Sequence, residues 1–432
     1  MQVELITIGD ELLLGFTLDS NGAHLARELA AIGVSIARRT SVGDDGPAIG
    51  AAVREALART GAVITTGGLG PTSDDLTKPS IAAVFGRGMR MDTEILEALR
   101  ARWIAKGWGR ELPKTNEQQA LVPEGAAILT NRHGSAPGIW LEDDRGRWVA
   151  MLPGVPREMR GVFAEEVLPR VSARAAASAS AAGASGSAPV VVSRTLRTTG
   201  IAESALADQI TPIADQLGGL SLAYLPHWPG VDLRLTAHGL AADAARARLD
   251  AAETAVRASI GDYVYGTGAD DLAEIVLNRC RDHGLAIAVA ESCTGGLLGS
   301  RITAIPGSSH LFLGGVIAYS NEVKATHLGV GDDTLIKFGA VSEETAREMA
   351  SGVRARYRAD AAMAITGIAG PGGGTPEKPV GTVCVAVDVR GALTSAKRQM
   401  VGDREEVRQR SAQWALDLLW RRMAETAQVA RP

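Results

Sequence analysis

Cysteine is scarce. Three occur in 432 residues, Cys280, Cys293 and Cys384. None has the spacing of a metal knot, and an odd, scattered set fits a reducing compartment. Aromatic residues are only 4% of the chain, which leaves little for the stacked platforms that hold single-stranded nucleic acid. Net charge is −4, so the global field gives no argument for a nucleic-acid or membrane partner. No run approaches the ~18 apolar residues of a spanning helix. The start, Met1-Gln2-Val3-Glu4-Leu5, lacks the basic segment of a signal peptide. The expectation is a soluble, cytoplasmic protein with no membrane partner, and nucleic acid is not an expected partner either.

What is present is apolar sequence in strand-length and helix-length pieces. Hydrophobic residues make up 46%, and the length suits two or three domains. Strand runs alternate with helical patterns, the signature of α/β domains with parallel sheets. The expected division is a domain over 1–170, a linker over 171–189, a small α+β module over 190–266 and a second α/β domain over 267–432. The linker is Ala/Ser/Gly-rich with almost no large apolar anchor. The middle module reads strand, helix, two strands, helix, strand. It resembles an RNA-binding fold in outline but lacks a Gly-x-x-Gly clamp, so a spacer or dimer contact is the favoured reading.

In the first domain, Val3–Ile8 and Ala62–Thr66 read as buried strands. Polar residues should gather at the carboxyl ends of such strands. The densest such end runs from Thr66 to Pro79. Backbone amides around Gly67, Gly68 and Thr72 suit phosphate oxygens, and Lys78 suits phosphate charge. Asp74 and Asp75 offer hard oxygens to Mg²⁺ or a similar cation. The plainer alternative is a glycine turn with a capping aspartate.

The stretch that organises the second domain is Leu285 to Lys324. An apolar run leads into Glu291-Ser292-Cys293-Thr294-Gly295-Gly296 and then a helical segment. Strand, tight turn, helix presents a side chain at a sheet edge, here Ser292 or Cys293. A serine needs a base, and no histidine is near. A buried, neutral Lys324 can fill that role, with Tyr319 as a proton relay and helix-start amides stabilising an oxyanion. Spacing alone favours a plainer reading, in which Ser292 caps a helix and Lys324 is solvated. Cys293 is the rival nucleophile. The loop Thr366 to Gly374, with Thr366 and Gly367 at its start, and either Arg398 or Arg404 further on are candidates to hold a phosphate and substrate.

The literal residues carry more. Glu291 to Gly296, Pro306-Gly307-Ser308-Ser309, Gly314 to Lys324, Gly339 to Ser342 and Thr366 to Gly373 resemble the C-terminal domain of the competence/damage-inducible CinA family. The resemblance covers roughly Asp270 to Trp420. It implies a nicotinamide mononucleotide amidohydrolase that needs no cofactor, with Ser292 as nucleophile, Lys324 as base and Tyr319 as helper. Thr294, Gly295, Thr366, Gly367 and Arg404 would contact substrate. Gly9-Asp10-Glu11-Leu12-Leu13, Asp44, Gly67 to Thr77, Gly134 to Gly138 and Leu152 to Met159 resemble the MogA/MoaB type of three-layer α/β domain in the CinA version. That likeness implies hydrolysis of ADP-ribose to AMP and ribose 5-phosphate with a divalent metal, Mg²⁺ or a Co²⁺-like ion. Asp10, Asp44, Asp74, Asp75 and Glu158 are the carboxylates it would place there. A homodimer is also implied. The competing assignments are molybdopterin binding alone for the first domain, and for the whole chain a non-catalytic scaffold linked to competence and recombination.

Overall fold

The computed structural model describes residues 1–181, 190–227 and 230–429. The chain divides into two compact units, Met1–Val192 with Ala237–Arg246, and Ser193–Thr236 with Ala247–Pro432.

The first unit is built on a six-stranded sheet. Its order is Ser35–Val42, Gln2–Ile8, Ala62–Thr66, Trp148–Leu152, Gly138–Glu142, Ala127–Leu129. The first four strands are parallel and the last two antiparallel. Along Gln2–Ile8, Val3 and Leu5 join a core with Leu25, Leu29 and Phe163, while Ile6 and Ile8 join one with Ile49, Val53 and Ile139. Both faces are covered by helices, so the strand carries apolar residues on both faces rather than on one, with only Glu4 and Thr7 as buried polar exceptions. Each large side chain buried this way contributes about 1.5–3 kcal/mol. The result is the three-layer α/β arrangement expected from the sequence.

The expected linker differs. A helix runs over Leu168–Ala181, through the first half of the segment read as linker; residues 182–189 lie outside the described residues. Val171 is buried in the first core. Alanine is the best helix former, so one anchoring residue extends the helix through a stretch whose composition looked unstructured.

Next in sequence comes a four-stranded sheet of order Ser221–His227, Gly230–Leu240, Val190–Thr198, Val264–Thr267. The helices Glu203–Ile210 and Ala242–Ile260 accompany it. Leu196, Leu233, Leu235, Leu249 and Val256 are buried.

The C-terminal sheet has five strands in the order Phe312–Ile317, Ile287–Glu291, Ala361–Gly367, Thr382–Val389, Ala392–Gln399. The first three are parallel and the last two antiparallel. Its faces differ in size. Ile287, Val289, Met363 and Ile365 pack on the helices Leu272–Asp282 and Arg404–Val429, whereas Ala288, Ala290, Ala362 and Ala364 face the helix Glu343–Tyr357. Small side chains let that helix lie close to the sheet. Among the described residues no helix is long and apolar enough to cross a membrane.

Candidate active site

Glu291 pairs in register with Ile317 on one side and Ile365 on the other. Ser292 comes next, at the carboxyl end of the central strand. Its amide donates to Ile365 O at 2.9 Å, which carries the ladder one residue past the strand. Gly295 (φ 59) and Gly296 (φ 97) then turn the chain into the helix Leu297–Thr303. Both angles favour glycine.

Glu291 shapes this turn. It is 1% exposed, and its carboxylate accepts the amides of Gly296 (3.0 Å), Leu298 (3.0 Å) and Gly299 (2.8 Å). These are helix-start donors that otherwise lack partners. The sequence reading gave Glu291 no role. The available signal was a carboxylate at the end of a buried strand, one short turn before a helix start. The same bonds correct an expectation: these helix-start amides are committed to Glu291 rather than held for an oxyanion. Among the described residues, no acceptor is paired with the amide of Thr294, and the amide of Cys293 meets only its own thiol.

Lys324 lies on the helix Asn321–Leu328, capped by Ser320, whose hydroxyl accepts the Val323 amide at 3.2 Å. Lys324 faces inward and is 1% exposed. Its Nζ is 3.2 Å from Ser292 Oγ, 2.8 Å from Ala318 O and 3.5 Å from Tyr319 O. Burial lowers its pKa from the usual 10.5, against an opposing effect of Cys293. The plainer reading of this pair fails on both counts, because the cap of the following helix is Gly296 rather than Ser292 and Lys324 is not solvated. Cys293 belongs to the apolar core, and burial pushes its thiol up to about 12. Thiolate, the reactive form, is therefore rare there.

Several expected contacts fall elsewhere. Tyr319 is exposed, and its hydroxyl accepts from Arg404 Nη2 at 3.1 Å; only its carbonyl approaches Lys324. The relay role therefore loses its geometry. Arg404 also donates to Gly370 O at 2.5 Å, tying Tyr319 to the glycine-rich loop after Gly367. Thr366 is fully buried and its hydroxyl donates to Ala340 O at 2.7 Å, so it is not free for substrate. A Cβ on Gly367 would meet Thr382 O at 2.9 Å; glycine there serves close strand packing. Thr294 is fully buried, and its hydroxyl has no partner among the described residues. Its carbonyl accepts from Arg408 at 3.0 Å. Beside Gly295 the space is open, with nothing within 4 Å of an added Cβ.

In the first unit the glycine loop closes on itself. Asp75 accepts from the amides of Gly70 (2.7 Å) and Thr72 (2.8 Å) and from the Thr72 hydroxyl (2.6 Å). This is the capping-aspartate turn, and it occupies donors expected for phosphate. Lys78 is 4% exposed and donates to the carbonyls of Gln118 and Gln119 at 2.6 and 3.3 Å. Burial brings its pKa down to about 8, and it does not present charge to a ligand. Gly67 (φ 110) is needed for fit, since a Cβ would meet Ile8 O at 2.1 Å; at Gly68 one would meet Thr77 Oγ1 at 2.2 Å. The five carboxylates do not converge. Asp10 and Asp44 exchange bonds, each accepting the other's amide at 3.2 and 3.0 Å. Burial, together with the charges of Asp10, Glu11 and Asp74, raises the pKa of Asp44. Glu158 instead accepts from Asn131 at 2.6 Å and lines a cavity of about 230 Å³ with Arg102, Trp103 and His133. Among the described residues no three His, Cys, Asp or Glu side chains gather to hold a metal, so the implied divalent ion is not matched by this donor set.

Comparison with known proteins places the chain. A CinA-like protein of Gemmatimonas aurantiaca is 58% identical over 427 residues, covering 99% of this chain and 97% of the relative. This chain belongs to the CinA family. A CinA-like protein of Kosmotoga olearia is 42% identical, covering 98% of both chains. A putative competence-damage inducible protein of Clostridium beijerinckii is 40% identical, covering 98% of this chain and 99% of the relative. Residues 269–423 match the CinA C-terminal domain, 4–173 a probable molybdopterin binding domain, and 193–266 the damage-inducible protein CinA KH domain. The KH match gives the middle module its type, the CinA KH domain, and the sequence of that module has no Gly-x-x-Gly clamp. Among solved structures, the competence/damage inducible protein CihA from Agrobacterium tumefaciens is 45% identical, over 34% of this chain and 91% of that one, with a TM-score of 0.34.

Proposed function

We propose that the C-terminal CinA domain hydrolyses the carboxamide of nicotinamide mononucleotide to nicotinic acid mononucleotide and ammonia. The observation that carries this is the 3.2 Å contact between Ser292 Oγ and Lys324 Nζ, with both side chains buried. Desolvation favours the neutral amine, and a neutral amine can take the serine proton.

In the first step Ser292 Oγ attacks the amide carbon and its proton passes to Lys324 Nζ. The tetrahedral intermediate collapses as Lys324 returns that proton to the leaving nitrogen, releasing ammonia and leaving an ester on Ser292. Water then attacks the ester, Lys324 again taking and returning one proton, and the carboxylate departs. The amides of Cys293 and Thr294 suit the oxyanion, each such donor being worth roughly 10²–10³ in rate. Ala318 O, the shortest contact of Nζ, orients the amine. Arg404, between Tyr319 and the Gly370 loop, is suited to the substrate phosphate. The test is ammonia release from nicotinamide mononucleotide by the full chain, with nicotinic acid mononucleotide as co-product. No turnover at millimolar substrate would sink the reading and favour a non-catalytic scaffold.

For the first unit we propose ADP-ribose as ligand. Support comes from the tight Gly67–Gly68 turn at the end of Ala62–Thr66, next to a small cavity lined by Asn21, Thr66 and Gly154. Asn21 Oδ1 has no partner there among the described residues. Among the described residues no carboxylate cluster fits a divalent ion beside this turn. AMP release from ADP-ribose in MgCl₂ tests the activity, and calorimetric titration with ADP-ribose tests the binding.

A further inference from the structure

A cavity of about 520 Å³ lies between the middle module and the C-terminal domain, within the second unit. It is lined on one side by Thr199–Glu203 with Pro226, His227, Gly230 and Val231, and on the other by Arg398–Val401, Arg410, Gln413, Trp414 and Asp417. None of these residues takes part in the chemistry around Ser292. The volume is in the range of small-molecule sites.

Three buried polar atoms in its lining have no hydrogen-bond partner among the described residues, Gln413 Oε1, Arg410 Nε and His227 Nε2, and of these His227 already faces the Asp232 carboxylate. Gln413 is 3% exposed, and its Nε2 donates to Thr199 Oγ1 at 3.3 Å. Its carbonyl oxygen is thus a fixed acceptor lacking a donor, while Arg410 Nε is a donor lacking an acceptor. A buried polar atom left without its bond is a penalty the free protein carries, and a ligand that completes both bonds recovers it.

The charges also point one way. Asp417 pairs with Arg421 at 2.8 Å and also feels Arg398. His227 and Arg197 face Asp232, at 3.0 and 3.3 Å. Against Asp417 and Glu203 stand Arg398, Arg410 and Arg421, which leaves one guanidinium in excess. Arg398 lies over the Trp414 ring at 4.7 Å from its centre. Ile201, Val231, Met400 and Val401 supply apolar wall.

We infer that this cavity is a second small-molecule site that takes a nucleoside monophosphate. The phosphate meets Arg410 and Arg398, a base or sugar N–H or O–H donates to Gln413 Oε1, and the apolar wall receives the body. The inference goes beyond the amide chemistry and does not depend on it.

Isothermal titration of the full chain tests it with three probes: AMP, adenosine and inorganic phosphate. AMP should bind roughly tenfold or more tightly than either fragment, because each fragment lacks one of the two interactions. Gln413→Leu and Arg410→Met should each weaken AMP binding about tenfold or more. Gln413→Leu should also leave the melting temperature unchanged or raised, since it removes an unpaired buried acceptor. A drop in melting temperature with unchanged AMP affinity would instead make Gln413 a purely structural partner of Thr199 and overturn the site. No AMP binding, AMP binding no tighter than phosphate, or binding that survives both variants would overturn it too.

Discussion

Lys324 Nζ lies 2.8 Å from Ala318 O and 3.2 Å from Ser292 Oγ, so one backbone carbonyl and one hydroxyl share the end of a buried amine. Burial lowers its pKa below 10.5. Nicotinamide mononucleotide turnover should therefore rise with pH through the lowered value and then level off. Lys324→Ala should abolish that limb. A pH–rate profile of kcat/KM checks it.

The same group links to stability. Between the lowered folded value and 10.5 the unfolded chain holds more protons on Lys324 than the folded one, so this contribution makes stability rise with pH through that window. Below the folded value the penalty is complete. Lys324→Met should thus be inactive yet at least as stable as the parent at pH 7. Thermal unfolding of the two proteins is the measurement, and a clear loss of stability would contradict it.

Cys293 should be inert. With its thiol pushed up to about 12 by burial, iodoacetamide at pH 8 should label it only after denaturation, and treatment of the native protein should spare activity. Peptide mapping before and after guanidinium gives the answer.

Glu291→Gln should cost about 2–3 kcal/mol, because a charged acceptor of three amides is replaced by a neutral group with one acceptor oxygen. Urea unfolding measures the loss, and an unchanged midpoint would count against the role of Glu291 in the turn.

Tyr319→Phe should change kcat less than tenfold, because its hydroxyl bonds Arg404 rather than Lys324. Arg404→Ala should raise KM roughly ten- to a hundredfold with a smaller change in kcat. Steady-state kinetics separates the two.

How much of this was legible in the sequence varies with the physics. The strand before Ser292 was readable because it is buried on both faces and is followed by a turn with two glycines. The partnership of Ser292 with Lys324 was not readable from spacing, since 32 residues and a crossover separate them; the literal motifs carried it. Tyr319 lies close to Lys324 in sequence, but its side chain leaves the buried end and meets Arg404. Lys78 looked like a phosphate ligand beside a glycine loop, and the fold spends it on two carbonyls. The edge strand Ala392–Gln399 escaped notice because its pattern is mostly polar and none of it is fully buried. The cavity around Gln413 lies between elements more than a hundred residues apart in sequence, which no local pattern encodes.

The most direct test of the central claim is kcat/KM on nicotinamide mononucleotide for Ser292→Ala, Lys324→Ala and the double variant. Each single change should lower it at least ~10³-fold, and the double should fall little further, because the two groups act as one unit. Ser292→Ala within tenfold of the parent, or losses in the two singles that multiply in the double, would contradict the account.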